Sequence, residues 1–324
     1  MSGAEFVPLS LTPLLIGVFA AIACALPGNF LVLRRQALIG DAISHVVLPG
    51  IVVAFLVAGT ITSAAMLAGA AGAAVVAVAG IELIRRFGKI EPGAAMGVVF
   101  TAMFAGGVLL LELSDTSGVH LDVEHALYGN LESLIWLDAT GWASLLDPVA
   151  LAGLPPELLR ISVVLALALI LLVLFWRPLA ISTFDEGFAA TLGLPVTAIS
   201  LGLVITSALA AVAAFDAVGS IIVIAMFICP PAAARLMTNR LGAQVAWSVF
   251  FATLSAVLGF VLAGYGPLWI GSQHAVSAAG MIATVSGLIL AGAALFGPER
   301  RAVSSRVAYP ARRGGAGCCF STRR

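Results

Sequence analysis

The sequence predicts an all-α membrane protein, a polytopic bundle of about nine helices that each cross a lipid bilayer. Of its 324 residues, 61% are hydrophobic and only 10% are charged, and the mean hydropathy is +1.12. A soluble domain carries about 25% charged residues. The apolar residues also cluster in runs of about 20, the length that an α-helix needs to cross a bilayer.

The candidate membrane spans are nine apolar runs, at residues 11–33, 39–58, 62–84, 94–112, 159–177, 199–215, 217–235, 244–264 and 275–297. The sixth and seventh runs form one apolar stretch interrupted by Asp216 and Gly219, which is either two short spans or one span and a re-entrant segment, so a bundle of eight spans is the alternative. Gly and Ala are frequent in these runs, and small residues let membrane helices approach closely. We therefore expect one compact transmembrane domain at residues 1–298.

Positive charge predicts the orientation, because membrane proteins keep Lys and Arg in cytoplasmic loops. With the N-terminus outside, nine spans leave Arg160 as the one basic residue on the outer side. The tail at residues 299–324 is rich in Arg, Gly and Ser. We expect it to be disordered in the cytoplasm near anionic lipid, and we expect no nucleic-acid partner.

An acid and an imidazole, Asp41 and His45, lie four positions apart in the second run. On a helix this spacing places both side chains on one face. Carboxylate oxygen and imidazole nitrogen both bind divalent transition metals, and ionisable groups at membrane depth usually face a cavity or a partner. The alternative is a structural role, in which Asp41 caps the helix and His45 forms a hydrogen bond within the bundle. Asp216 is a further candidate, either in an outer gate or as a hydrogen-bonded turn residue.

The connection at about 182–195 predicts a short amphipathic helix, roughly from Phe184 to Leu192. In Ser182-Thr183-Phe184-Asp185-Glu186 a hydroxyl residue stands three positions before an acid, which is typical of a helix start. Gly193 and Pro195 are expected to end the helix. It is either an ordinary interfacial helix or a helix that inserts into a groove on a partner protein.

The connection at 113–158 is expected outside the membrane. It contains no Lys or Arg but holds seven acids and two histidines: Asp115, His120, Asp122, Glu124, His125, Glu132, Asp138, Asp147 and Glu157. It is either a solvated acidic loop or a surface that attracts cations or a partner. Apolar residues such as Leu131 and Trp136 indicate that part of it packs on the membrane surface.

Two common catalytic motifs are missing from the sequence. The only lysine is Lys89, followed by Ile90, whereas a phosphate-binding P-loop needs Gly-Lys followed by Ser or Thr. Any ATP hydrolysis must therefore come from another polypeptide. None of the four histidines stands in the His-Glu-x-x-His string of a zincin, so we do not expect a metalloenzyme.

Four motifs resemble the bacterial manganese/zinc/iron ABC importer permeases. In chain order they are Leu31–Arg35 leading into Gly40–His45 and Leu48-Pro49-Gly50, Leu121-Asp122 through Leu127–Asn130, Phe184–Ala189 with Leu192–Pro195, and Phe215–Gly219 through Pro230–Leu236. The resemblance runs from about residue 12 to 297, and Gly40–His45 is its most specific string. Ala37 departs from it, since a hydroxyl residue is expected there, and His274 has no matching motif.

The resemblance implies a homo- or heterodimeric permease of the bacterial inner membrane, with two ATP-binding subunits and an external solute-binding protein. Asp41 and His45 would line the path and contact the transported metal, with manganese favoured over zinc or iron. No permanently bound cofactor is expected. The short helix would be the coupling helix to the ATPase, through Phe184, Asp185, Glu186, Phe188, Leu192 and Gly193. A proton-coupled secondary metal transporter is the alternative, with Asp41, His45 and Asp216 as the proton relay, although no inverted repeat is evident.

Overall fold

The computed structural model describes residues 6–37, 39–58, 63–88, 90–113, 131–139, 141–269 and 276–298. Within these ranges the regular elements are helical. A π-helical turn at Val7–Leu11 leads into the first α-helix, and 3₁₀ turns lie at Leu131–Ser133 and Trp142–Leu146. The α-helices are α1 Thr12–Leu33, α2 Ile39–Ala58, α3 Ser63–Gly88, α4 Pro92–Leu113, α5 Pro148–Ala152, α6 Pro156–Leu174, α7 Trp176–Phe184, α8 Glu186–Thr191, α9 Val196–Val218, α10 Ser220–Met237, α11 Leu241–Trp269 and α12 Ala278–Phe296.

Nine long helices in the described ranges coincide with the nine apolar runs. Eight of them are long and apolar enough to cross a bilayer, and the remaining one, α2, contains a shorter apolar stretch at Pro49–Ala58. The sixth and seventh runs form separate helices, because the chain breaks at Gly219 with a φ of 79°. The all-helical membrane bundle predicted from composition is confirmed.

Helix α1 forms the centre of the bundle. It packs against α6, α9, α10 and α11, and its second half is almost wholly buried. Helices α10, α11 and α12 pack together on one side of it, while α2, α3 and α4 form a second group. Helix α9 joins the two groups, since it contacts α1 as well as α2 and α3.

Glycines bring the helix backbones close together at two crossings. A Cβ atom at Gly50 of α2 would lie 2.5 Å from the carbonyl oxygen of Gly69 on α3. A Cβ atom at Gly28 of α1 would lie equally close, 2.5 Å, to the carbonyl oxygen of Phe227 on α10. Both crossings therefore require a residue without a side chain, as expected of close packing between membrane helices.

The described part of the 113–158 connection packs on the ends of α1 and α12. Trp136 is buried against Val7, and its indole nitrogen donates to the carbonyl oxygen of Ala150 at 2.8 Å. Glu132 accepts a hydrogen bond of 2.6 Å from the backbone nitrogen of Ala278, at the start of α12. The remaining predicted features of this connection, and two others, lie outside the described residues: Asp115, His120, Asp122, Glu124, His125, His274 and the tail at 299–324.

Candidate metal path and coupling helix

Helix α2 carries both predicted metal ligands. It is helical from Ile39 onward, so Asp41 lies in its first turn and His45 one turn later. The backbone of Asp41 is described, but its side chain lies outside the described part of the structure. The backbone therefore has the helical spacing on which the prediction of a shared face depends.

The start of α2 lies deep in the bundle. Gly40 is buried, and a Cβ atom there would lie 2.8 Å from Cδ2 of Phe227 on α10. Phe227 stands ten residues before α10 ends at Met237, which is about 15 Å along a helix axis. That distance is about half the thickness of the hydrocarbon core of a bilayer. The residue before Asp41 is thus packed against the middle of a spanning helix.

Two phenyl rings of α4 hold the imidazole of His45. The ring of Phe100 is stacked on it with a centroid distance of 5.6 Å and an interplanar angle of 21°. The ring of Phe104 meets it edge to face, also at 5.6 Å, with an angle of 77°. His45 is half-buried. Neither Phe100 nor Phe104 was predicted from the sequence to lie near the site, although their four-residue spacing matches that of the Asp41–His45 pair.

Asp216, the third predicted site residue, lies in the last turn of α9, two residues before the helix ends at Val218. Its side chain lies outside the described part of the structure. The described residues hold no group of three or more His, Cys, Asp or Glu side chains able to bind a metal ion together. The role of Asp216 therefore stays a prediction.

A cavity of about 570 Å³ lies beside α2, between α3, α4 and α9. Ala42 and Val46, the residues that follow Asp41 and His45, line it. Gln36, Glu186 and Ser200, which belong to the end of the bundle where α1 terminates, also line it. The cavity thus extends from the helix of the candidate site to the short helix α8.

Helix α8 occupies the position predicted for the short amphipathic helix, but it begins later than the sequence suggested. Asp185 is its N-cap, and the Oδ1 atom of Asp185 accepts a hydrogen bond of 2.8 Å from the backbone nitrogen of Phe188. The expected helix start at Ser182 and Thr183 is wrong. Both hydroxyls donate instead to the carbonyl oxygen of Leu179, at 3.2 and 2.7 Å, within the preceding helix α7.

Helix α8 ends as predicted, at Gly193. This residue has a φ of 74°, in the left-handed region that glycine adopts easily. Its nitrogen donates to the carbonyl of Ala190, and that of Leu194 donates to the carbonyl of Ala189, which together form a Schellman motif. The short helix is therefore capped at both ends by its own residues.

Large apolar side chains on and around α8 are exposed. Phe184 is 61% exposed, and Phe188 and Leu192 are each 54% exposed. Ala189, in contrast, is fully buried against the bundle. An apolar patch of this kind, placed at one end of the bundle and rimmed by Asp185 and Glu186, is typical of a protein-interaction site.

Arg34, at the end of α1, joins three helices. Its Nε donates to Oγ1 of Thr183 at 3.1 Å, and its two terminal nitrogens donate to Oγ of Ser182 at 2.8 Å and of Ser200 at 2.7 Å. Burial lowers the pKa of the Arg34 guanidinium, and the carboxylate of Glu186 raises it. From the sequence, Arg34 stood out only as part of the Leu31–Arg35 string of the resemblance.

The comparisons with known proteins define the class. The model of a family described as the ABC 3 transport family matches residues 8–139 and 150–296, so the chain belongs to that family. It is a multi-pass membrane permease of an ABC-type metal importer, a transporter and not a catalytic enzyme. The predicted family is thereby confirmed.

Individual relatives agree with this class. The chain is 38% identical over 291 residues to the manganese transport system membrane protein MntD of Bacillus subtilis, covering 90% of this chain and 93% of that one. It is 37% identical over 295 residues to the zinc transport system membrane protein TroD of Treponema pallidum, covering 91% of this chain and 76% of that one. A chain of the structure of PsaBC from Streptococcus pneumoniae in complex with Fab superposes with a TM-score of 0.72 at 25% identity, covering 94% of this chain and 97% of that chain.

Proposed function

We propose that this chain is the membrane subunit of an importer that carries manganese across the bacterial inner membrane, with zinc and iron as the alternative cargoes. One observation carries the proposal: α2 places Asp41 and His45 one turn apart, beside Gly40, which packs against the middle of α10. Manganese is placed first because the match to MntD, named for manganese, covers nearly the full length of both chains, whereas the match to TroD, named for zinc and 37% identical, covers 76% of that chain.

In this proposal the metal ion is the transported substrate, and Asp41 and His45 contact it transiently. One carboxylate and one imidazole supply too few donors for these metals, which take four or more ligands. A second permease chain, the same or a sister chain, would contribute the matching pair.

Two separate ATP-binding subunits would drive transport from the cytoplasmic side, docking on α8 through Phe184, Asp185, Glu186, Phe188, Leu192 and Gly193. The exposed apolar patch around α8 supports this role for it. The chain also lacks the Gly-Lys-Ser/Thr string of a P-loop. An external solute-binding protein would deliver the metal on the opposite face, where Glu132 and Trp136 of the 113–158 connection pack on the starts of α1 and α12. In this arrangement the N-terminus would lie outside and the basic tail inside.

The competing function is proton-coupled secondary transport of a divalent metal by this chain alone. Expression in a manganese-uptake-deficient bacterium separates the two, with and without the ATP-binding and solute-binding partners. We expect radioactive manganese uptake only when the partners are present, together with co-purification of a stoichiometric ATPase. Uptake by the chain alone, driven by a pH gradient, would overturn the proposal. Competition by unlabelled zinc and iron then ranks the cargoes.

A further inference from the structure

We infer that Arg34 is a positioning residue that ties α8 to the central helix α1, so that movement of α8 is transmitted to the candidate metal site. The inference rests on the proposed function, in which α8 receives the ATP-driven movement. The Arg34 guanidinium donates to side chains of two other helices, α7 and α9.

The hydrogen bonds of Arg34 connect α7 with α1 and α9, two helices that α7 otherwise contacts at few points. Ser182 and Thr183 lie on the last turn of α7, immediately before the Asp185 cap of α8. Ser200 lies in the first turns of α9, which begins just after α8 ends. Arg34 therefore holds the segments on both sides of α8. Because the guanidinium bonds to the segments before and after α8, a shift of α8 that moves these segments would pull on α1 or break the bonds.

The backbone that carries Arg34 is fixed by its own motif. Arg35 has a φ of 59°, the only positive φ of a non-glycine residue in the described ranges. Its nitrogen donates to the carbonyl of Val32, and the nitrogen of Gln36 donates to the carbonyl of Leu31, which forms a Schellman motif. Arg34 is thus rigidly attached to the end of α1, although a glycine would adopt the Arg35 conformation at lower cost.

From Arg34 a continuous path of packed groups leads to the metal site. Along α1, Gly28 lies six residues before Arg34 and touches the backbone of Phe227. The ring of the same Phe227 packs on Gly40, the residue next to Asp41. Close contacts that admit no Cβ atom do not absorb a displacement by sliding apart, since interiors are tightly packed. A shift of α1 would therefore change the position of the first turn of α2.

The test uses the whole transporter, with its ATP-binding and solute-binding subunits, in proteoliposomes. Metal uptake and ATP hydrolysis are measured on the same sample, and the readout is metal ions moved per ATP. We expect Arg34→Gln to lower this ratio about tenfold, the size of a typical coupling between sites, while ATP hydrolysis stays within about twofold of wild type. Arg34→Lys keeps the charge but cannot make three hydrogen bonds in the same geometry. Its ratio of metal ions moved per ATP should lie between those of wild type and Arg34→Gln.

Arg177→Gln is the matched control, because Arg177 is an exposed arginine on the same helix as Ser182 and Thr183. It should leave the ratio unchanged. Thr183→Val, which removes one hydroxyl at nearly constant volume, should lower the ratio by less than Arg34→Gln does. An unchanged ratio in Arg34→Gln, or hydrolysis and uptake falling in parallel, would overturn the inference.

A second measurement keeps the inference separate from the proposed function. Amide hydrogen exchange of the chain in lipid nanodiscs needs no metal transport. Arg34→Gln should raise the exchange rates of residues 186–194 at least about threefold, as expected when a local anchor is lost, while Arg177→Gln should not. Unchanged exchange would overturn the link between Arg34 and α8. A wild-type complex that moves no metal would instead contradict the proposed function alone.

Discussion

The imidazole of His45 is stacked on the ring of Phe100, with centroids 5.6 Å apart and planes at 21°. This contact joins α2, the helix of the candidate metal site, to α4. It limits the rotation of the imidazole, which in the proposed function would present a ring nitrogen to the metal ion in a fixed direction. Neighbouring Phe104 closes the edge of the ring and is partly exposed.

The first prediction concerns Phe100. Replacing it by Ala should raise the KM for metal uptake about threefold to tenfold, because an aromatic pair is worth about 0.5–1.5 kcal/mol beyond its buried area. Uptake of radioactive manganese over a range of concentrations measures this. Phe296→Ala is the control, since Phe296 is 86% exposed at the end of α12. A KM equal to that of wild type would show that the stacking does not orient His45 for binding.

The second prediction concerns the crossing of α2 and α3. Gly50→Ala places a methyl group 2.5 Å from the carbonyl oxygen of Gly69 and 2.7 Å from Cβ of Ala73. The two helices must move apart, which should lower the free energy of unfolding by about 1–3 kcal/mol. The Tm of the purified protein in detergent should fall accordingly. Gly72→Ala on α3 is the matched control, because a Cβ atom there meets nothing within 4 Å. If both variants melt at the same temperature, the crossing is not as tight as described.

The third prediction concerns the left-handed residue at the end of α1. Arg35→Gly should melt at a higher temperature than Arg35→Ala, by an amount equivalent to about 1 kcal/mol, because only glycine adopts this conformation without strain. Both variants lack the Arg35 side chain, so their difference isolates the backbone. Equal Tm values for Arg35→Gly and Arg35→Ala would mean that residue 35 does not adopt a φ of 59°.

The fourth prediction assigns Glu132 a structural role. Its carboxylate accepts from the backbone nitrogen of Ala278, so Glu132→Ala should cost about 1 kcal/mol of helix capping and speed amide exchange at Ala278. Glu132→Gln keeps an acceptor oxygen and should lose less stability than Glu132→Ala. It removes mainly the attraction between the negative charge and the helix dipole. If Glu132→Ala slowed metal uptake without changing amide exchange at Ala278, Glu132 would attract cations and would not cap α12.

The parts of the fold that depend on local composition were predictable from the sequence. The long helices follow from apolar runs of about 20 residues, and the end of α8 at Gly193 follows from the glycine itself. The start of α8 was misplaced, because Ser182 and Thr183 satisfy their hydroxyls within α7 and accept from Arg34, which lies about 150 residues earlier in the chain. No local pattern reveals such a partner.

At the candidate site too, the local sequence predicts the spacing of residues but not their neighbours from distant parts of the chain. The spacing of Asp41 and His45 predicts a shared helix face, and α2 has that spacing. The neighbours of the site come from elsewhere in the chain, with Phe100 and Phe104 on α4 and Phe227 on α10. An aromatic residue in an apolar run looks like any other core residue, so its position beside the imidazole depends on tertiary packing.

The most direct test of metal passage beside Asp41 and His45 is the initial rate of manganese uptake by assembled complexes carrying Asp41→Asn or His45→Ala. Asp41→Asn removes the carboxylate charge and one of its two oxygens, and His45→Ala removes the imidazole. We expect each to lower the rate at least about tenfold, as the loss of a metal-site contact commonly does. Assembly with the ATP-binding subunits should remain unchanged. Wild-type rates from either correctly assembled variant would contradict a metal site on α2.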